Sequence, residues 1–226
     1  MDKLKILYCG YREWSTTLYS NVSELENKYI NWNRISTAQE LIDEDTSVYD
    51  IIFFIGWSEI IPDEIVNNNV CICLHPSRLP KYRGGSPIQH QIINGETTSS
   101  VTLFRMNSDI DTGDIVYQSN ISLSGDLVDV FSEIIKKGYL GIQYIVSELM
   151  SSGVLTYTPQ NHNNSTLYKR RKVTDSEITT EELLNSSVRD IYNKVRCLQD
   201  PYPNAYIKLN NGEKLYLYKV VDPDQD

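Results

Sequence analysis

The chain has 226 residues, 40% hydrophobic and 23% charged, the proportions of a globular protein long enough to bury a sizeable core. Its 21 Lys and Arg against 30 Asp and Glu leave a net charge of −9, which argues against a general nucleic-acid binder and against electrostatic docking on anionic membrane, since both need a basic face. No run approaches the roughly 18 apolar residues of a bilayer-spanning helix, and MDKLKILYCG lacks a signal-peptide pattern, so a cytoplasmic location is expected.

Residues 3–9, KLKILYC, read as a short apolar strand stopped by Gly10. Residues 11–25 predict a helix, with Trp14, Leu18, Val22 and Leu25 at helical spacing, and residues 38–44 a second, shorter one. Residues 49–55, YDIIFFI, are a continuous apolar run, as expected of a strand covered on both faces. Pro62 opens a helical turn over 62–66, and 70–74 is the next buried strand. This alternation predicts an α/β fold with an open, mostly parallel sheet.

A loop rich in Pro, Gly and basic residues follows at 75–87, HPSRLPKYRGGSP, then a short helix at 88–94. Residues 100–106 and 115–121 alternate like strands around the turn-rich SDIDTGD. The longest predicted helix covers 126–150, capped by Asp126 or Asp129, and Gly138 and Gly141 inside it imply close packing or a weaker helix. Residues 160–166 read as a polar linker. From 161 to 226, ten Lys and Arg balance ten Asp and Glu, so residues 1–160 carry the whole −9. This tail predicts a helix over 180–198 and a hairpin turning at Asn210, Asn211 and Gly212. The expected division is a catalytic domain, 1–165, and a small helix-plus-hairpin extension, 166–226.

Cys9, Cys71, Cys73 and Cys197 are expected as free thiols, with too few neighbouring ligands for a metal site. Cys71 and Cys73 fall on one face of their strand. His75 stands at the carboxyl end of a predicted parallel strand, the edge where open α/β sheets bind ligands. Asp111 lies in the D-T-G-D turn between two strands. A His beside a carboxylate is the usual pair for moving protons near neutral pH. The plainer alternatives are a structural His and a turn Asp that satisfies its own backbone.

Taken together, LHPSRLPKYRGGSPIQHQIINGE and the later SSVTLFRMNSDIDTGDIVYQ closely resemble the formyltransferases that use 10-formyltetrahydrofolate. DIIFFIGWSEIIP and LYKRRKVTDSEI extend the resemblance over roughly residues 3–205. It implies a Rossmann-like, mostly parallel sheet, with folate and acceptor meeting at its C-terminal edge. It also implies direct attack by a neutral amine on the formyl carbon of N10-formyltetrahydrofolate, with no metal. His75 matches the family's catalytic His, and Asp111 its catalytic Asp. Cys73 stands where the family usually has Asn, a stronger donor to the formyl oxygen than a thiol. Trp57, Ser58, Ile60 and Ile61 match the loop lining the pterin pocket, and Asn107, Asp109 and Ile110 the loop before the Asp. Tyr11, Arg12, Lys81, Tyr82 and Arg83 are the expected acceptor-binding residues, contacting phosphate. Lys169, Arg170, Arg171 and Lys172 form a small basic run whose neutral surroundings make it weak support for nucleic-acid binding.

Within this family the methionyl-tRNA formyltransferases are longer and end in a basic barrel that grips tRNA, and the glycinamide ribonucleotide enzymes usually carry a Gly-rich phosphate loop where this chain has CGYREWS. The expected acceptor is therefore a nucleotide-linked amino sugar, such as a UDP- or dTDP-4-amino-4,6-dideoxy sugar, with no nucleic acid or membrane partner. Tyr202 and Tyr206 are possible sources of base stacking, and a homodimer paired through the tail is expected. A tRNA formyltransferase, a formyltetrahydrofolate hydrolase and a folate-binding module impaired by Cys73 are the alternatives.

Overall fold

A computed structural model describes residues 3–224. The chain runs β1 (Leu4–Cys9), α1 (Glu13–Ser23), β2 (Ile30–Ile35), α2 (Ala38–Asp43), β3 (Ile51–Ile55), α3 (Asp63–Asn68), β4 (Cys71–His75), β5 (Arg83–Gly84) and α4 (Pro87–Ile93). It continues through β6 (Thr98–Arg105), β7 (Ile115–Ser122), α5 (Leu127–Ser152), β8 (Leu167–Tyr168), α6 (Thr180–Asn185), α7 (Val188–Arg196), β9 (Ala205–Lys208) and β10 (Lys214–Leu217). Six strands make one sheet in the order β2-β1-β3-β4-β6-β7. The first four are parallel, and β6 runs antiparallel to both β4 and β7. This is the expected open, mostly parallel α/β sheet.

The apolar runs of β1, β3 and β4 are explained by two cores. On one face Ile6, Tyr8, Phe53, Ile55, Ile72 and Leu74 join α1 and α5; on the other Leu7, Cys9, Ile52, Phe54 and Cys71 join Leu41 of α2. A strand covered on both sides has no polar side to alternate with. The long helix α5 begins where expected: the Asp129 carboxylate accepts the Asp126 N–H at 2.9 Å. Its internal glycines permit close approach. A Cβ on Gly141 would lie 2.6 Å from the Tyr117 ring, and one on Gly138 2.9 Å from Leu18 and Leu74. No helix among the described residues is long and apolar enough to cross a membrane.

Two elements differ from the sequence reading. β2, INWNRI, is an edge strand that the sequence reading leaves unassigned: Ile30 and Trp32 alternate with Asn31 and Asn33, but Arg34 breaks the alternation after only four residues. The helix expected over 180–198 is two helices, because Ser186 leaves the helix in extended geometry, ψ 154°, and Ser187 caps the second by accepting from the Asp190 N–H at 3.1 Å. The Asn-Asn-Gly hairpin forms as β9 and β10, with Gly212 at φ 87°. Beyond residue 165, Ile178, Val195, Cys197, Leu198 and Ala205 belong to the same apolar cluster as the sheet, and β8 pairs with β5.

Burial sets a limit on alkaline stability. The Cys71 and Cys197 thiols are each pushed up to about 12, chiefly by desolvation. Below pH 9 both the folded and the unfolded chain keep these protons and nothing changes. Above pH 9 the unfolded chain releases them first, so stability falls by about 1.4 kcal/mol per pH unit per thiol. Urea titrations are expected to show lower stability at pH 10.5 than at pH 8, with Cys197→Ala losing less than the wild type between the two, while Cys9 and Cys73, also raised by burial, still contribute. An equal loss in the variant would refute the attribution to these thiols.

Candidate active site

At the carboxyl ends of β3 and β4 lie two adjoining cavities. The first, about 490 Å³, is walled by Phe54, Trp57, Ile61, Phe104, Met106 and the turn at 107–111. The second, about 370 Å³, is walled by Arg12, Trp14, His75, Pro87, Arg170, Arg171 and residues 201–203. Trp57, Ser58, Cys73, Gly84, Gly85, Asp111 and Arg170 border both. A reacting centre shared by two ligands would therefore sit beside Cys73 and Asp111.

His75 is the last residue of β4 and only 6% exposed. Its Nε2 lies 2.8 Å from the Tyr82 carbonyl oxygen, which can only accept, so a neutral imidazole carries its proton there. That leaves the Nδ1 lone pair free, 3.5 Å from Asp111 Oδ2. The Asp111 carboxylate is held from the other side by the Gly84 N–H at 2.7 Å. A proton arriving on Nδ1 would create an imidazolium facing that carboxylate. The geometry is that of a base with its countercharge already in place.

Cys73 neighbours Phe54 and Phe104 across the ladder, and its half-buried thiol borders both cavities. Burial first, and then the charge of Asp111, push its proton affinity well above the ordinary thiol value. The uncharged form therefore prevails near neutral pH, and a thiol is a poor nucleophile without ionisation.

Trp57, Ser58, Ile60, Ile61, Asn107, Asp109 and Ile110 all border the first cavity. Arg12 borders the second and donates to Ser58 Oγ at 3.0 Å, while the Tyr11 hydroxyl also bonds that oxygen. The expected basic-aromatic loop does not face this crevice. Lys81 is exposed and borders neither cavity. Tyr82 turns its ring onto Tyr168, stacked at 5.1 Å, and donates to Glu96 at 3.0 Å. Arg83 is buried against Gln160, with contacts of 3.2 and 2.6 Å. The left-handed backbone at Tyr82, φ 59°, contributes its carbonyl rather than its side chain to the site. Tyr206 is buried in the core at 3% exposure, and Tyr202, though on the second cavity's wall, already stacks on Phe131.

The cations that border the second cavity besides Arg12 are Arg170 and Arg171, brought in by the pairing of β8 with β5. Gly85 permits this approach: a Cβ there would lie 2.5 Å from the Arg170 Cα. The K-R-R-K run was visible in the sequence, but its destination was not, because 85 residues separate Arg171 from the Ser86 oxygen that accepts its backbone N–H at 3.1 Å. Gln160, read as linker, is 5% exposed and bonded to the Asp111 turn. Only the tertiary fold reveals that role.

Residues 20–130 match the protein family described as formyl transferase. The methionyl-tRNA formyltransferase of Agathobacter rectalis is 31% identical over 182 residues, covering 78% of this chain and 57% of that protein. The chain thus spans a little over half the length of that curated relative. Among solved structures, the methionyl-tRNA formyltransferase from Clostridium thermocellum superposes with a TM-score of 0.85 and 26% identity, over 99% of this chain and 95% of that one. A sugar N-formyltransferase from a Shewanella species superposes with a TM-score of 0.76 over 97% and 99%; at 18% identity this likeness is one of fold.

Proposed function

The chain belongs to the formyltransferase family, and we propose that it transfers a formyl group from N10-formyltetrahydrofolate to the amino group of a nucleotide-linked amino sugar. The observation that carries this reading is the meeting of two cavities at Asp111, with His75 on the wall of the second and 3.5 Å from that carboxylate. The first cavity suits a flat heteroaromatic ring: Phe54, Trp57, Ile61 and Phe104 supply apolar walls, and the exposed turn at 107–110 supplies backbone donors and acceptors. The folate co-substrate would bring the electrophilic formyl carbon. On the other side, Arg12, Arg170 and Arg171 offer three cations to a nucleotide's two phosphates.

The chemistry follows from what an amine needs. Its nitrogen bonds the formyl carbon, the bond from that carbon to N10 breaks, and one amine proton must leave. His75 Nδ1 takes that proton, and the Asp111 carboxylate at 3.5 Å steadies the resulting imidazolium. The same proton then serves the departing N10. The high proton affinity of Cys73 favours this direct route over a thioester on the protein. Cys73 also leaves the developing oxyanion with a weaker donor than Asn would give.

The test offers purified protein N10-formyltetrahydrofolate with UDP- and dTDP-4-amino-4,6-dideoxy sugars, and in parallel with methionyl-tRNA. Turnover of an amino-sugar nucleotide is the expected result. Transfer to the tRNA alone would move the acceptor to the activity named for the curated relative. Cofactor hydrolysis without acceptor would mark a hydrolase, and binding without turnover a non-catalytic module. On the proposed reading, Arg12→Ala removes a charge-assisted contact to phosphate of about 1.5–3 kcal/mol. It should raise KM for the sugar nucleotide by about tenfold or more and KM for the folate by less than about threefold.

A further inference from the structure

Asp111 adopts φ 52°, in the left-handed region that a residue other than Gly enters at a cost of about 1–3 kcal/mol. Such a conformation persists only where its surroundings impose it. Its own carbonyl oxygen accepts from Gln160 Nε2 at 3.0 Å, and the other N–H of the same amide reaches the Gly113 carbonyl at 2.6 Å. Gln160 Oε1 accepts from Arg83 Nε at 3.2 Å and Nη2 at 2.6 Å. Arg83 precedes Gly84, whose N–H holds the Asp111 carboxylate, so the contacts close into a ring.

The ring admits one arrangement of the Gln160 amide. Backbone carbonyls only accept and a guanidinium only donates, so the nitrogen must face the turn and the oxygen must face Arg83. Every polar atom of the amide is thereby used in a site where Gln160 is 5% and Arg83 6% exposed. The third Arg83 contact, to His162 Nδ1 at 3.1 Å, comes from the same segment. Burial lowers the proton affinity of Arg83, and the Asp111 charge opposes that effect, so the buried cation also balances the carboxylate across the ring.

We propose that Gln160 is the positioning residue of this site: clamped by Arg83, it sets the backbone of the 111–113 turn and thereby fixes the Asp111 carboxylate beside His75. The inference rests on the formyl-transfer reading for its kinetic consequence but not for its structural one. It explains why a buried Arg and Gln stand behind the two cavities without bordering either.

Three variants test it. Gln160→Ala removes both donors. Gln160→Glu keeps the shape and the Arg83 contact but turns a carboxylate oxygen toward two carbonyls. Gln160→Ala in an Asp111→Ala background shows whether the residue acts through Asp111. Gln160→Ala and Gln160→Glu are each expected to lower kcat by about 10-fold or more, with KM for the folate within about threefold; no further loss is expected in the Asp111→Ala background. Independently of turnover, hydrogen exchange of the Gly84 amide, followed by NMR in ligand-free protein, should speed by about tenfold in Gln160→Ala and comparably in Asp111→Ala, because the carboxylate no longer holds that N–H. If the wild-type protein transfers no formyl group, the functional reading fails while the Gly84 measurement still decides this one. Unchanged Gly84 exchange in Gln160→Ala, or full activity in Gln160→Glu, would overturn the proposal.

Discussion

Replacing His75 with Ala is expected to lower kcat by about 10²–10⁴-fold, the usual contribution of a positioned general base. The imidazole is the one group bordering the acceptor cavity whose neutral form offers a free lone pair beside a carboxylate. Asp111→Ala should cost a comparable amount, since it removes the countercharge and frees the Gly84 N–H. The double variant should be little worse than either single one, because groups that act as a unit are non-additive. KM for the folate should stay within about tenfold, because the apolar walls of the first cavity, Phe54, Trp57, Ile61 and Phe104, are left intact, although Asp111 borders that cavity. Steady-state kinetics on the three variants decide the matter. Retention of more than about a tenth of wild-type kcat in either single variant would remove the pair from the mechanism.

Cys73→Asn is expected to raise kcat by about tenfold or more. The side chain at 73 borders both cavities, where the formyl oxygen would be carried, and a thiol donates weakly. Loss of one oxyanion donor costs about 10²–10³ in rate in other enzymes, so restoring one should recover part of that range. Cys73→Ala and Cys73→Ser should keep activity within about threefold, because the thiol's raised proton affinity withholds a nucleophile. The sign of that shift also predicts slow alkylation of Cys73 at pH 8, with a rate that is still climbing beyond pH 9, where an ordinary thiol levels off. Intact-mass spectrometry checks the alternative route: a formyl group trapped on Cys73 would establish the thiol as the nucleophile. A Cys73→Asn variant no faster than wild type would mean that another donor already serves the oxygen.

Much of this molecule was legible before its shape was. The apolar runs of β1, β3 and β4, the long amphipathic stripe of α5 and the Asn-Asn-Gly turn each carry a local signal, because period and turn chemistry act between residues close in the chain. The weak points were also local. The alternation of β2 is too short to stand out, and Ser186 and Ser187 divide a helix whose apolar spacing runs on past them.

The sequence by itself determined the fold class and the family, because a long ordered motif holds its residue types in fixed positions along the strands and turns; it also singled out His75 and Asp111, which the fold sets 3.5 Å apart. Only the tertiary structure decided which side chains of the loop at 81–83 face the crevice. A left-handed residue at Tyr82 and the burial of Arg83 turn them away, and no spacing rule records that. It also decided where the cations come from, since the contact of Arg170 and Arg171 with the site depends on β8 returning across some 85 residues to pair with β5. Gln160 is the clearest case. In the chain it is one polar residue before a polar stretch, whereas in the fold its amide is ringed by Arg83 and two carbonyls. Contacts across such separations are set by the closing of the whole core, which brings together groups that the sequence keeps far apart.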